Sequence, residues 1–402
     1  MKEKKGLTWG HKVGYGLGDA GGCMTFALMG TTFAMYCTDA LKIDTALLGI
    51  LLFVWNVWDF INDPLMGALM DQSFAKSNNP KGKFRPWLLR SAPLVCVTFI
   101  ALWSVPQFFD GVFLVACLFI LKILYEGCYT MFNIPMGSLL SAMSNTDAER
   151  ASLSSARGIG SAVGNMIPMM AMPFLIKMFG QQNPTGYAIG SVVCAVIGLI
   201  MCLMHYKMTE ERNIASYNEQ EEKQEVKLTD IINVFKVNRP FLALCMHGLF
   251  ICLMQYTGNT LTNYMYSAVF GDIAIAAYAT IASAPFMPVI FIFGSKLAKK
   301  FGLENMIRSC LLMSSALYIS LFGLHAIMDV NPWVHILWSG IAMGLASISI
   351  YMQWGLVGEA IDYNEMITGK RTEGSIYGTF NLARRIGQTV GLGISFFALD
   401  WI

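Results

Sequence analysis

The stretch WDFINDPLMGALMD, Trp58–Asp71, closes an apolar run that begins near Ala46 and reads as a membrane-spanning helix. Asp59 and Asp63 stand four residues apart, so on a helix they share a face, one turn from each other. A carboxylate inside a bilayer costs about 2.5 to 3.5 kcal/mol on insertion scales. Such residues face a bundle interior or a water-filled cavity, and they mark ion or proton pathways. A shorter helix ending at Asp63-Pro64 would leave both at the interface. Apolar residues resume at Leu65 and continue to Met70, so the helix is expected to run on through the proline.

The composition agrees with a polytopic membrane protein. Hydrophobic residues make up 55% of 402 and charged residues 13%; the mean hydropathy is +0.52. A soluble domain does not carry that balance. The ten cysteines are scattered singly through apolar runs, without C-x-x-C or metal-ligand spacing, and read as small core residues. The start, basic and then glycine-rich, has no small-residue cleavage site.

Eleven apolar spans are expected, near 13–38, 45–70, 87–107, 111–140, 151–178, 185–206, 238–268, 273–297, 304–328, 333–361 and 374–400. The basic residues fall on alternate sides. The N-terminus and the even-numbered loops hold Lys2, Lys4, Lys5, Lys81, Lys83, Arg85, Arg212, Lys299, Lys300, Lys370 and Arg371 among others, whereas the odd loops hold only Lys42 and Lys177. The positive-inside rule therefore puts the N-terminus in the cytoplasm of a multi-pass protein of the inner (plasma) membrane.

The charged segment 207–236 is expected to link an N-terminal six-helix bundle, 1–206, to a C-terminal bundle, 237–402. A basic turn recurs after the second span (GALMD, then KGKFR) and the eighth (GSKLAKKFG), a weak sign of duplication. Such a protein should have twelve spans; the eleventh ends near Ile402, so the twelfth is expected to be missing from this chain.

Polar residues within the spans supply the candidate site. Asp19 follows a glycine-rich turn, GYGLGDAGG, built for close helix contact. Lys122 and Glu126 stand at i and i+4 and can pair. Tyr129, Thr130 and Asn133 follow on one broad face with Glu126, just before Pro135. Arg157, alone in SSARGIGSAVG, needs a carboxylate from another helix or an anionic ligand. Arg384 and Arg385 lie about three turns into the last span, too deep to snorkel easily, and have the same need. Trp55, Trp58, Tyr36, Tyr256 and Trp354 could stack on sugar rings, though the membrane interfaces claim most such residues.

Together GYGLGD (14–19), YCTD (36–39), WDFINDP (58–64), KGKFRPWLL (81–89), NIPMGSL (133–139), the Arg157 segment and EAIDYNE…GKRTEG (359–374) resemble the glycoside-pentoside-hexuronide:cation symporters. These belong to the major facilitator superfamily. The resemblance implies an all-α membrane fold of two six-helix bundles, a central sugar site and alternating access. It also implies coupling to Na⁺, Li⁺ or H⁺. By motif, Asp59, Asp63 and Thr130 match the cation site; Asp19 and Arg157 match the sugar-hydroxyl ligands, and Tyr129 a pocket aromatic. Arg385 falls where a lysine links the cation site to the second bundle. Asn133 stands where melibiose-transporting members carry an aspartate that serves cation and sugar alike, and Gly137 replaces a tryptophan. The N-I-P-x-G-S-L pattern and the R-R-x-G-Q run look more like the glucuronide-transporting branch.

A cation-coupled symporter is therefore expected, for a hexuronide or glucuronide, with H⁺ favoured over Na⁺ because Asn133 is neutral. A neutral glycoside or pentoside symporter, or a lysolipid carrier of the same superfamily, is the alternative. A membrane enzyme would need acidic or histidine clusters in its loops, and the short outer loops offer almost none. No cofactor beyond the coupling ion and no nucleic-acid partner are expected, and the chain is expected to work as a monomer in the bilayer.

Overall fold

The computed structural model describes residues 7–75, 82, 84–144, 147–212, 238–286, 300–368 and 373–400. They form long helices: α1 (Trp9–Thr31), α2 (Thr45–Ala75), α3 (Arg85–Ser104), α4 (Gly111–Met143), α5 (Asp147–Phe179) and α6 (Pro184–Met208). There follow α7 (Arg239–Ala268), α8 (Ile275–Ser283), α9 (Leu303–Ile327), α10 (Pro332–Thr368) and α11 (Glu373–Asp400). Each expected apolar run contains one of them. Of the 273–297 run, residues 287–297 lie outside the described residues. Among the described residues, seven helices are long and apolar enough to cross a membrane by length and composition. α2 continues through Pro64 to Ala75, so the reading in which Asp63-Pro64 closes the helix does not hold.

The chain divides into two compact units, Met1–Glu222 and Lys223–Ile402. In the first, α1 packs chiefly against α5 and α6, α3 against α4 and α6, and α2 against α4. In the second, α7 packs against α11, and α10 against α9 and α8.

Glycine makes the α1–α5 contact. A Cβ on Gly160 would lie 2.0 Å from the Gly16 carbonyl oxygen, and one on Gly164 would lie 2.3 Å from that of Ala20. The second unit repeats the device. A Cβ on Gly387 would meet the Leu249 carbonyl oxygen at 2.1 Å, and one on Gly391 that of Leu253 at 2.7 Å. The matching sequences are RGIGSAVG (157–164) and RRIGQTVG (384–391). Two glycines one turn apart thus lay one backbone against another in each unit.

At one end of the first unit, the residues after α6 tie the neighbouring helices together. The Glu211 carboxylate accepts from the backbone N–H of Phe84 and Arg85, both at 2.8 Å, capping α3 from far along the chain. Arg85 donates to the Tyr206 carbonyl at 2.6 Å and lies 4.6 Å from the Tyr206 ring centre. Arg212 donates its N–H to the Ala142 carbonyl at 2.8 Å and pairs with Glu149 at 3.4 Å. Gly82 adopts φ +98°, and a Cβ there would strike the Glu211 carboxylate at 2.4 Å. This turn needs glycine for both reasons.

Candidate functional site

α1 and α5 bring Asp19 and Arg157 together. Their glycine ladder lets the backbones approach so closely that a buried aspartate and an arginine from two helices meet directly. Arg157 Nε donates to Asp19 Oδ1 at 2.8 Å. The Asp19 side chain is 11% exposed and that of Arg157 36%. The pair is therefore rooted in the bundle, with part of the arginine side chain exposed.

Neutral groups that the sequence reading passed over complete the neighbourhood. Cys23 Sγ is 3.9 Å from Asp19 Oδ2 and 3.3 Å from Ser161 Oγ. Asn165 donates to the Ser161 carbonyl at 2.7 Å. The Tyr15 hydroxyl donates to the Met136 carbonyl at 2.9 Å, on the next turn after Asn133. Cys23 stands four residues beyond Asp19, and Ser161 four beyond Arg157. That helical spacing is the signal that could have found them.

The Tyr129 ring stacks on Phe26 at 5.3 Å between centroids, with planes 18° apart. Tyr125 follows at 6.0 Å from Tyr129 and donates its hydroxyl to Thr25 Oγ1 at 3.2 Å. Offset stacking of this kind holds a rigid aromatic wall. Asn133, expected on one face with Glu126, Tyr129 and Thr130, is exposed, while Glu126 and Thr130 are buried. Seven residues from Glu126 to Asn133 turn the helix about 20° short of two full turns, so Asn133 keeps its place on that face, at a level where the face is exposed.

α2 and α4 make the second cluster. Asn62 Nδ2 donates to Thr130 Oγ1 at 2.9 Å, with Asn62 2% and Thr130 7% exposed. Asn62 lies between the two expected aspartates in WDFINDP and was not singled out. Asp59 is half-buried. Asp63 lies on the same helix, its side chain outside the described residues. Lys122 and Glu126 form an ion pair, both buried. The Lys122 ammonium also stands over the rings of Trp55 at 6.0 Å and Tyr125 at 5.9 Å.

In the second unit, Arg384 and Arg385 lie half-buried on α11. Cys252 of α7 faces Arg384 and Gln388 of α11. Trp354 lies on α10, its side chain outside the described residues. Among the described residues no group of three or more His, Cys, Asp or Glu is placed to hold a metal ion.

Residues 14–402 match the family described as MFS/sugar transport protein. The chain belongs to that family. It is 27% identical over 414 residues to the glucuronide carrier protein homolog of Escherichia coli (strain K12), over 98% of this chain and 84% of that one. It is 22% identical over 397 residues to the isoprimeverose transporter of Lactiplantibacillus pentosus, over 96% of this chain and 79% of the relative. The crystal structure of the nucleoside transporter NupG superposes with a TM-score of 0.63 at 14% identity, over 97% of this chain and 91% of that one. At that identity the likeness shows the fold, which is that of the major facilitator superfamily. The protein is a multi-pass membrane transporter of small-molecule sugars in the glycoside-pentoside-hexuronide:cation symporter family, and not an enzyme.

Proposed function

We propose that the protein carries an acidic sugar, a hexuronide or glucuronide, into the cell together with a proton, the two units alternating access to a central site. The Asp19–Arg157 pair carries the reading: a charged pair rooted in the bundle, with 36% of the arginine side chain open. A guanidinium presents a planar fork of donors that matches a carboxylate bidentately. Charge-assisted hydrogen bonds of that kind are roughly twice as strong as neutral ones. Asp19 accepts sugar hydroxyls beside it, and the Phe26–Tyr129 wall offers a ring face. The relative named as a glucuronide carrier homolog supports the acidic substrate.

Coupling is assigned to Asp59 and Asp63 on α2 with Thr130 and Asn133 on α4. Asn133, with Arg385 of α11, is assigned to the substrate alongside Asp19, Tyr129 and Arg157. The N-terminus is assigned to the cytoplasm of the plasma membrane, and the working unit is taken as a monomer. A carboxylate in the membrane can take a proton at one face and release it at the other. Asp59→Asn or Asp63→Asn should therefore abolish uphill accumulation and leave downhill exchange partly intact; full concentrative uptake in both variants would remove the assignment. H⁺ coupling is tested in proteoliposomes by imposing a pH gradient without Na⁺. Uptake that ignores that gradient and rises steeply with Na⁺ contradicts it.

One observation favours a second reading, a neutral glycoside. The relative named as an isoprimeverose transporter aligns over 96% of the chain. A binding panel setting a glucuronide against its matching glucoside separates the two.

A further inference from the structure

α4 carries a buried polar stripe at four-residue steps: Lys122, Glu126 and Thr130 are 7%, 8% and 7% exposed. α2 faces it with Trp55, Asp59 and Asn62. Two contacts set the register. Lys122 lies over Trp55 at 6.0 Å, and Asn62 bonds Thr130 at 2.9 Å. At about 1.5 Å per residue, Trp55 to Asn62 spans roughly 10.5 Å and Lys122 to Thr130 roughly 12 Å. The two helices run in the same direction, so Asp59, four residues past Trp55, comes level with Glu126, four residues past Lys122. The charges of Glu126 and Asp59 both act on Tyr125, which agrees with that register.

Two carboxylates thus stand at one level of a membrane bundle, and the chain supplies its own cation to them. The Lys122 ammonium pairs with Glu126 and is held over the faces of Trp55 and Tyr125, where ring quadrupoles favour a positive charge. Without that ammonium, Glu126, Asp59 and the Thr130 hydroxyl would remain, an oxygen-rich seat bearing two negative charges. Hard cations bind such donor sets.

We propose that Lys122 is an ion-specificity residue: its tethered ammonium occupies the seat between α2 and α4 that an alkali cation would otherwise take, so Na⁺ does not bind there. The inference rests on the reading that Asp59 belongs to the coupling site and names what decides the ion at that site. A tethered cation cannot be carried across with the sugar, so the transported charge must be a different one.

The test compares purified wild type, Lys122→Met and Lys122→Met/Glu126→Gln in NaCl and in choline chloride of equal ionic strength. Wild type should melt at the same temperature in both salts. Lys122→Met, nearly isosteric and uncharged, should show a saturable rise of about 5 °C in Na⁺ far above its dissociation constant. The double variant, which removes both charges of the pair, should not respond. Recovery of folded Lys122→Met in Na⁺ but not in choline supports the proposal as well. A saturable Na⁺ response in wild type overturns it. So does a folded Lys122→Met that ignores Na⁺, or one that folds in neither salt while the double variant folds. Sugar counterflow by wild type, with no ion gradient, tests the transport reading separately and leaves these melting results standing.

Discussion

The α1–α5 contact of the first unit and the α7–α11 contact of the second use the same backbone device with different charge. In each, an R-x-I-G-x-x-V-G segment lays two glycines against two carbonyls one turn apart: Gly160 and Gly164 on Gly16 and Ala20, Gly387 and Gly391 on Leu249 and Leu253. Superposed in register, Arg157 falls on Arg384 and Asp19 falls on Cys252. Arg157 meets the Asp19 carboxylate at 2.8 Å, whereas the residue facing Arg384 at the matching position is the thiol Cys252. The packing is duplicated and the carboxylate is not. The α7–α11 pair therefore closes without an aspartate at that position, which supports the ligand role proposed for Asp19.

The largest effect should come from breaking the shared device. Gly160→Val or Gly387→Val drives side-chain carbon into a carbonyl already about van der Waals radius too near for a Cβ. Each should abolish recovery of monodisperse protein in detergent, and to a similar degree. Wild-type yield and melting temperature in either variant would contradict the duplicated ladder.

Next comes the difference between the units. Asp19→Asn should weaken sugar binding at least tenfold, about 1.4 kcal/mol, with little change in melting temperature. Cys252→Ser should leave both unchanged. Equal binding losses in the two variants would show that position in the ladder, not charge, is what matters, and would remove the special standing of Asp19.

A smaller contrast lies at the starts of α3 and α9, each preceded by a glycine with positive φ, Gly82 at +98° and Gly302 at +81°. Gly82 also abuts the Glu211 carboxylate, while the atom nearest a Cβ on Gly302 is 3.7 Å away. Gly82→Ala should therefore lower the melting temperature more than Gly302→Ala. Glu211→Gln, which keeps a weaker cap on α3, should cost about 1 kcal/mol. The reverse order of the two glycine variants would mean that Glu211 does not hold α3. The smallest effect belongs to the exposed Glu304–Arg308 pair, where Arg308→Gln should shift the melting temperature by less than a degree, as surface pairs contribute little.

Much of this was readable in the residues. The apolar runs located the helices because length and hydropathy alone decide a membrane span. Asp19, Arg157, Lys122 and Glu126 stood out because charge is rare in such runs, and charged side chains there must find one another. Asn62 was passed over because an asparagine between two aspartates draws no attention until its partner, Thr130, is known to face it. Cys23 and Ser161 were passed over for the same reason: a small polar group declares itself only through its neighbour. The R-x-I-G-x-x-V-G repeat spans 227 residues between its copies and conserves few side chains, since what it preserves is the absence of a Cβ opposite a carbonyl. Asn133 is exposed where Glu126 and Thr130 are buried, a difference no helical wheel could give, because the wheel gives angle and not depth along the bundle.

The central claim is that Arg157, held by Asp19, receives an acidic sugar. Isothermal titration of purified protein with a glucuronide and its matching glucoside, in wild type and in Arg157→Gln, tests it most directly. The account predicts that wild type binds the glucuronide at least tenfold more tightly, about 1.4 kcal/mol, and that Arg157→Gln removes most of that preference. Equal or tighter binding of the glucoside by wild type, or a preference untouched by Arg157→Gln, would contradict it.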